Sequence, residues 1–117
     1  MWVPLLVFAG GGLGAVLRWS LGLLLPGWVG VVVANIVGSF ILGALANSPL
    51  RDQAPAMAFL GAGMMGGFTT YSTFNLNLLE AANRGAWGEL ALQFFTTALV
   101  CFGAGALGLW VGGQIPR

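Results

Sequence analysis

The sequence predicts an all-α integral membrane protein. It has four membrane-crossing helices, the third broken near its middle, in a single domain over residues 1–117. Three observations carry this reading. Apolar residues make up 58% of the chain, charged residues only 6%, and mean hydropathy is +0.92, whereas soluble domains carry roughly a quarter charged residues. The few charges fall between long apolar runs, at the spacing of short loops. The third run contains GGFTTYSTF (residues 66–74), whose glycines, hydroxyls and aromatics a plain lipid-facing helix does not need.

A bilayer-crossing helix needs about 20 mostly apolar residues. On that ruler the first span covers about 3–25 and is closed by Pro26 and Gly27. The second covers 29–46 and stops at NSPLRDQ, where Pro49, Arg51 and Asp52 mark an exposed loop. The third covers about 54–79, closed by Glu80, Asn83, Arg84 and Gly85, and the fourth about 90–111. Loops this short make neighbouring spans alternate in direction. Trp2, Trp28, Trp87 and Trp110 all fall at span ends, where an indole N–H meets water while the ring stays in the interface. Trp19 lies deeper, about two turns inside the first span. No Lys or Arg precedes the first apolar run, so a cleaved leader is not expected and the first span should remain.

The break in the third span follows from composition. Gly61, Gly63, Gly66 and Gly67 lead into a run of β-branched and small polar residues, all weak helix formers. Irregular backbone at membrane depth is tolerated only where protein buries it or where it lines a cavity. Carbonyls freed at such a break are ready cation ligands.

Polar side chains within the spans form stripes. Asn35 and Ser39 are spaced to share one helix face, and Gln93, Thr97 and Cys101 repeat at i, i+4 and i+8. The third span adds Thr69, Thr70, Ser72, Thr73, Asn75 and Asn77. An isolated Ser or Thr is satisfied by the carbonyl one turn back. The carboxamides of Asn35 and Gln93 have more polar groups than one such bond can satisfy. They serve either as glue between helices or as the lining of a path, and the convergence of three stripes favours a path.

The lining is neutral. There is no His, the lone Cys101 allows no internal disulfide, and no acid lies mid-span. No nucleophile–base pair or metal-ligating cluster is present, so catalysis is not expected. A net charge of +1 gives no basic patch for nucleic acid. Hydroxyls, carboxamide N–H groups and aromatic edges all offer positive partial charge. Such a lining suits a small anion that accepts hydrogen bonds strongly. Arg18 is the one charge inside a span. It either snorkels to the interface or attracts an anion at a vestibule.

Orientation is balanced. Arg51 and Arg117 lie on one side, Arg84 and a snorkelling Arg18 on the other, so the positive-inside rule sets no preference. Insertion both ways up would permit an antiparallel homodimer. Twenty glycines, several at small-xxx-small spacing (Gly10/Gly14, Ala34/Gly38, Gly63/Gly67), prepare close helix packing within or between chains.

Three blocks in this order, GGLGAVLRW (11–19), NIVGSFILG (35–43) and GGFTTYSTF (66–74), resemble the CrcB/Fluc family of fluoride channels along the whole chain. The resemblance implies an antiparallel, dual-topology homodimer in the inner (plasma) membrane. It would conduct fluoride passively through two pores and keep cytoplasmic fluoride low. It also implies a structural sodium ion, not transported, held by the backbone carbonyls of Gly66 and Thr69 from both subunits. The family's paired pore phenylalanines fall on Tyr71 and Phe74, and its pore asparagine falls on Asn35. Its fourth-span polar track falls on Gln93, Thr97 and Cys101, and its first-span arginine on Arg18. Ser72 and Thr73 add hydroxyls along the implied fluoride path. The chain departs from the family pattern at Tyr71 (for Phe), Trp19 (often Tyr), Gln93 and Cys101 (more often Tyr or Ser) and Val31 (for Thr).

Two competitors belong to other classes. A small proton-coupled multidrug exporter needs an intramembrane carboxylate, yet Glu80 and Glu89 lie at span ends. A purely structural membrane subunit leaves the polar stripes and the broken span without a purpose.

Overall fold

The structure, a computed structural model, describes residues 2–117; Met1, the first residue of the expected domain, lies outside the described residues. Among the described residues all regular structure is helical. Helix α1 (Val3–Leu24) carries Pro4 in its first turn, where a missing N–H costs nothing. It ends as Leu25 turns extended (φ −115°, ψ 137°). The chain then reverses through Pro26 and Gly27, the latter at φ +54°, a left-handed conformation that suits glycine. Helix α2 (Val29–Ala46) follows. A single tight turn, Pro49–Asp52, is started by the Ser48 hydroxyl accepting from the Leu50 N–H at 3.2 Å.

Helix α3 (residues 54–68) opens with Pro55 in its first turn and winds as wide π-type turns over Met57–Met65. Turns of this kind cluster at functional sites. Helix α4 (Ser72–Asn83) follows, then a turn at Gly85 (φ +71°), then α5 (Trp87–Gly113). The apolar ruler starts the fourth span at 90, but α5 begins earlier. Glu89 fits its first turn, where free N–H groups favour an acid.

Helices α1, α2 and α5, of 22, 18 and 27 residues, are each long and apolar enough to cross a membrane. At about 1.5 Å per residue they bracket the roughly 30 Å hydrocarbon thickness. The longest dimension of the molecule, 49 Å, slightly exceeds a whole bilayer with its headgroups, about 40–45 Å.

Two helix pairs build the body, α1 on α3 and α2 on α5. Lipid tails are as apolar as leucine, so these pairs depend on close approach of their backbones. A Cβ on Gly14 would strike the Met64 carbonyl, and one on Gly108 would strike the Phe40 carbonyl and come within 2.9 Å of Ala44 N. The small-residue pairs Gly10/Gly14 and Gly63/Gly67 seen in the sequence face each other across the α1–α3 contact. The buried core is small, centred on Ala34, Leu45, Met65 and Phe68. Large side chains such as Phe8, Leu24 and Phe102 point outward, about 80% exposed. That distribution belongs to helices whose surroundings are hydrocarbon.

The loops tie the bundle at both ends. The Trp28 indole N–H and Arg84 both donate to the Glu89 carboxylate at 2.6 Å, joining the α1–α2 and α4–α5 turns. At the opposite end Asp52 pairs loosely with Arg51 (3.8 Å) and Arg117 (3.6 Å).

Gly108→Val should wedge α2 from α5 at a cost of roughly 1–3 kcal/mol, lowering the unfolding midpoint in detergent. Gly103→Val, on the same helix with nothing within 4 Å of the added carbon, should leave the midpoint unchanged. Equal midpoints for the two variants would contradict packing by backbone approach.

Candidate functional site

Between α3 and α4 the chain leaves the helix. Thr69 is extended (φ −86°, ψ 154°), and helical geometry resumes at Ser72. The cause is a side chain on α2. Asn35, 8% exposed, accepts the Thr70 N–H on Oδ1 at 2.8 Å and donates from Nδ2 to the Thr70 carbonyl at 3.0 Å. Its carboxamide pairs with both polar groups of one residue's backbone, competing directly with helix formation. Gly38, one turn along α2, makes room for the opened segment, since a Cβ there would collide with Thr69 Cγ2.

The remaining hydrogen bonds of the segment are distributed unevenly. The Thr69 N–H and hydroxyl both donate to the Met65 carbonyl at 3.0 Å. The Thr70 hydroxyl accepts the Thr73 N–H at 3.2 Å and so caps the start of α4. Arg18 Nε donates to the Gly67 carbonyl at 3.2 Å, which places the guanidinium against the end of α3. In an unbroken helix Thr70 N–H would bond to Gly66 C=O, and Thr73 N–H to Thr69 C=O. Both donors are diverted, so among the described residues the Gly66 and Thr69 carbonyls have no hydrogen-bond donor. Bare carbonyl oxygens suit a hard, oxygen-seeking cation. The described residues contain no group of three or more His, Cys, Asp or Glu that could hold a metal ion.

Beside this segment lies a cleft of about 420 Å³ whose wall includes Asn35, Ser39, Thr70, Tyr71, Phe74, Thr97 and Cys101. Tyr71 and Phe74 meet edge to face, with centroids 5.9 Å apart and planes at 68°. Phe74 is buried, while Tyr71 is 77% exposed and opens onto the outer surface of the chain. The cleft therefore brings together Asn35, Thr69, Tyr71, Phe74, Thr97 and Cys101 from the residues singled out in the sequence. Ser72, Thr73 and Gln93 do not form its wall, and Arg18 and Gly66 lie elsewhere. Ser39 and Phe94 join it without having been singled out as site residues. The spacing of Ser39 from Asn35 was a signal for the first, while nothing in the pattern marks Phe94.

Gln93 sits one turn before Thr97 on α5 and is completely buried. Its Oε1 and Nε2 have no partner, nor has the Thr97 hydroxyl. Each unpaired buried group costs about 1–3 kcal/mol, and native proteins keep such groups chiefly for a role or for an ordered water or ion.

These features define a small multi-pass membrane protein whose polar groups converge on one cleft beside an opened helix. By the description "CrcB-like protein, Camphor Resistance (CrcB)", matched over residues 5–109, the chain belongs to the CrcB-like family. A relative in Rhodospirillum centenum named fluoride-specific ion channel FluC is 40% identical, covering 97% of this chain and 94% of its own. Proteins of the same name in Aromatoleum aromaticum (40% identical; 92% and 86% covered) and Anaeromyxobacter dehalogenans (36%; 93% and 97%) are also similar.

Gln93→Met conserves volume and removes two unpaired polar atoms. It should raise the unfolding midpoint, by about 1–3 kcal/mol of stability. A lowered midpoint would mean that the amide has partners in the native protein.

Proposed function

We propose that this chain is a fluoride-selective passive channel that lets fluoride leave the cytoplasm across the inner (plasma) membrane. The observation that carries the reading is the neutral, donor-rich track beside the opened helix. Thr97 on the cleft wall and Gln93 one turn away, off the wall, keep buried polar groups unpaired, and Tyr71 and Phe74 present a crossed pair of rings to the cleft. Fluoride is small and accepts hydrogen bonds strongly, so amide N–H, hydroxyl and positive ring edges can replace its water. No charged side chain lines the cleft, so neutral donors hold the ion weakly enough for it to leave, a requirement for conduction. Cys101, Ser72 and Thr73 extend the polar track. The name of the relatives supports the same ion.

A second copy of the chain, inserted antiparallel in dual topology, completes the path. The cleft of one copy is open to the outside at Tyr71, and a conducting path in lipid must be closed. Gly66 and Thr69 of each copy would together offer four carbonyl oxygens to one sodium ion. That ion would supply fixed positive charge and a bridge between opened segments without being transported. Arg18, bonded to Gly67, supports the same segment and is read as structural. Glu89 is occupied by Trp28 and Arg84 and no acidic side chain lines the cleft, which weighs against proton-coupled export.

The test is efflux from liposomes loaded with fluoride, the voltage set by a potassium ionophore and external fluoride followed with an electrode. Fluoride should leave rapidly and chloride at a small fraction of that rate, and Phe74→Ile should abolish or strongly slow efflux in a protein that still purifies as a dimer. No fluoride efflux, or equal chloride efflux, would refute the channel; full rates in Phe74→Ile would remove the ring edges from the path.

A further inference from the structure

The Asn35 carboxamide occupies the cleft wall, yet its geometry is directed at the backbone. Of its polar atoms, Oδ1 takes the Thr70 N–H at 2.8 Å and Nδ2 gives one hydrogen to the Thr70 carbonyl at 3.0 Å. In a continuous helix that N–H belongs to Gly66 C=O, four residues back. Neighbouring donors cannot substitute. The Thr69 N–H is spent on Met65, and Arg18 reaches Gly67 rather than Gly66. The bare state of the Gly66 oxygen therefore traces to one side chain on another helix.

We infer that Asn35 is a positioning residue for the central cation: by diverting the Thr70 N–H it keeps the Gly66 carbonyl free to bind the ion. The inference rests on the cation site proposed above and deepens it. It gives Asn35 a task separable from any contact with fluoride, and it makes the cation site and the anion path share one side chain. Without the carboxamide, the Thr70 N–H returns to Gly66 C=O and α3 extends. In a pair of chains, two hydrogen bonds must then break before the ion can be held. Binding should weaken by about tenfold or more, since each such bond opposes it.

The readout is thermal unfolding of the purified dimer, titrated with sodium at constant ionic strength against N-methylglucamine, at mildly acidic pH. The wild-type midpoint should rise with sodium. Asn35→Ala should need about tenfold more sodium or more for the same rise. Asn35→Ser, whose hydroxyl is one bond shorter, should behave alike and serves if the alanine variant does not purify. Asn35→Asp should restore a near-native sodium response, because a protonated carboxyl accepts from the Thr70 N–H with one oxygen and donates to its carbonyl with the other. A general loss of packing would lower midpoints in every salt and would not be rescued by Asp. A wild-type sodium midpoint in Asn35→Ala or Asn35→Ser, or no rescue by Asp, would overturn the inference alone. A wild-type protein indifferent to sodium would overturn the cation site itself, and this inference with it, while leaving the fluoride efflux result standing.

Discussion

One side chain's hold on one residue's backbone organises the functional half of this molecule. In hydrocarbon a helix cannot simply open, because every N–H and C=O it frees has no water to turn to. Asn35 answers that constraint by presenting both an acceptor and a donor to Thr70. The opened residues are thereby secured, α4 restarts under the Thr70 hydroxyl cap, and Tyr71 and Phe74 are placed on the cleft wall. The Gly66 and Thr69 carbonyls, like that of Phe68, are left without a hydrogen-bond donor among the described residues. Open backbone and polar cleft are two consequences of the same pairing.

That pairing requires α2 to approach α3 closely, and the glycines provide for it. Membrane helices gain little from burying apolar surface against one another, so contact depends on dispersion at short range and on hydrogen bonds. Gly14 and Gly108 let backbones touch in the two main helix pairs, while Gly38 admits the Thr69 methyl beside the opened segment. Asn35 and Gly38 lie on neighbouring turns of α2, one to bond the segment and the other to make room for it. The unpaired Gln93 and Thr97 groups carry the opposite energetic sign. Their cost is borne by a body held together elsewhere.

Much of this was legible in the sequence, for identifiable reasons. Composition and run length gave the helical membrane class, since about 20 apolar residues in a row have few other physical explanations. Pro26, Gly27 and Gly85 gave the turns, because a proline or a left-handed residue ends a helix. Helix α5 runs beyond the apolar stretch read as the fourth span: Trp87 and Glu89, placed at a span end, lie in its first turn, where the acid bonds Trp28 and Arg84. Helical spacing grouped Gln93, Thr97 and Cys101 as one stripe, of which Thr97 and Cys101 reach the cleft wall, and it offered Ser39 beside Asn35. What spacing could not supply was the partner. Asn35 bonds the backbone of a residue 35 positions away and Arg18 a carbonyl 49 positions away, and backbone atoms leave no signature in a sequence. For Arg18 this contact supports the structural reading.

The proposed cation site takes the Gly66 and Thr69 carbonyls and not that of Gly67, which accepts from Arg18. Solid-state NMR of the membrane-reconstituted protein, labelled with ¹³C at the Gly and Thr carbonyls, reads each of them separately. Exchange of sodium for N-methylglucamine should move the Gly66 and Thr69 signals while Gly67, held by Arg18, stays in place. Unmoved Gly66 and Thr69 signals, or a Gly67 signal that moves with them, would contradict the account.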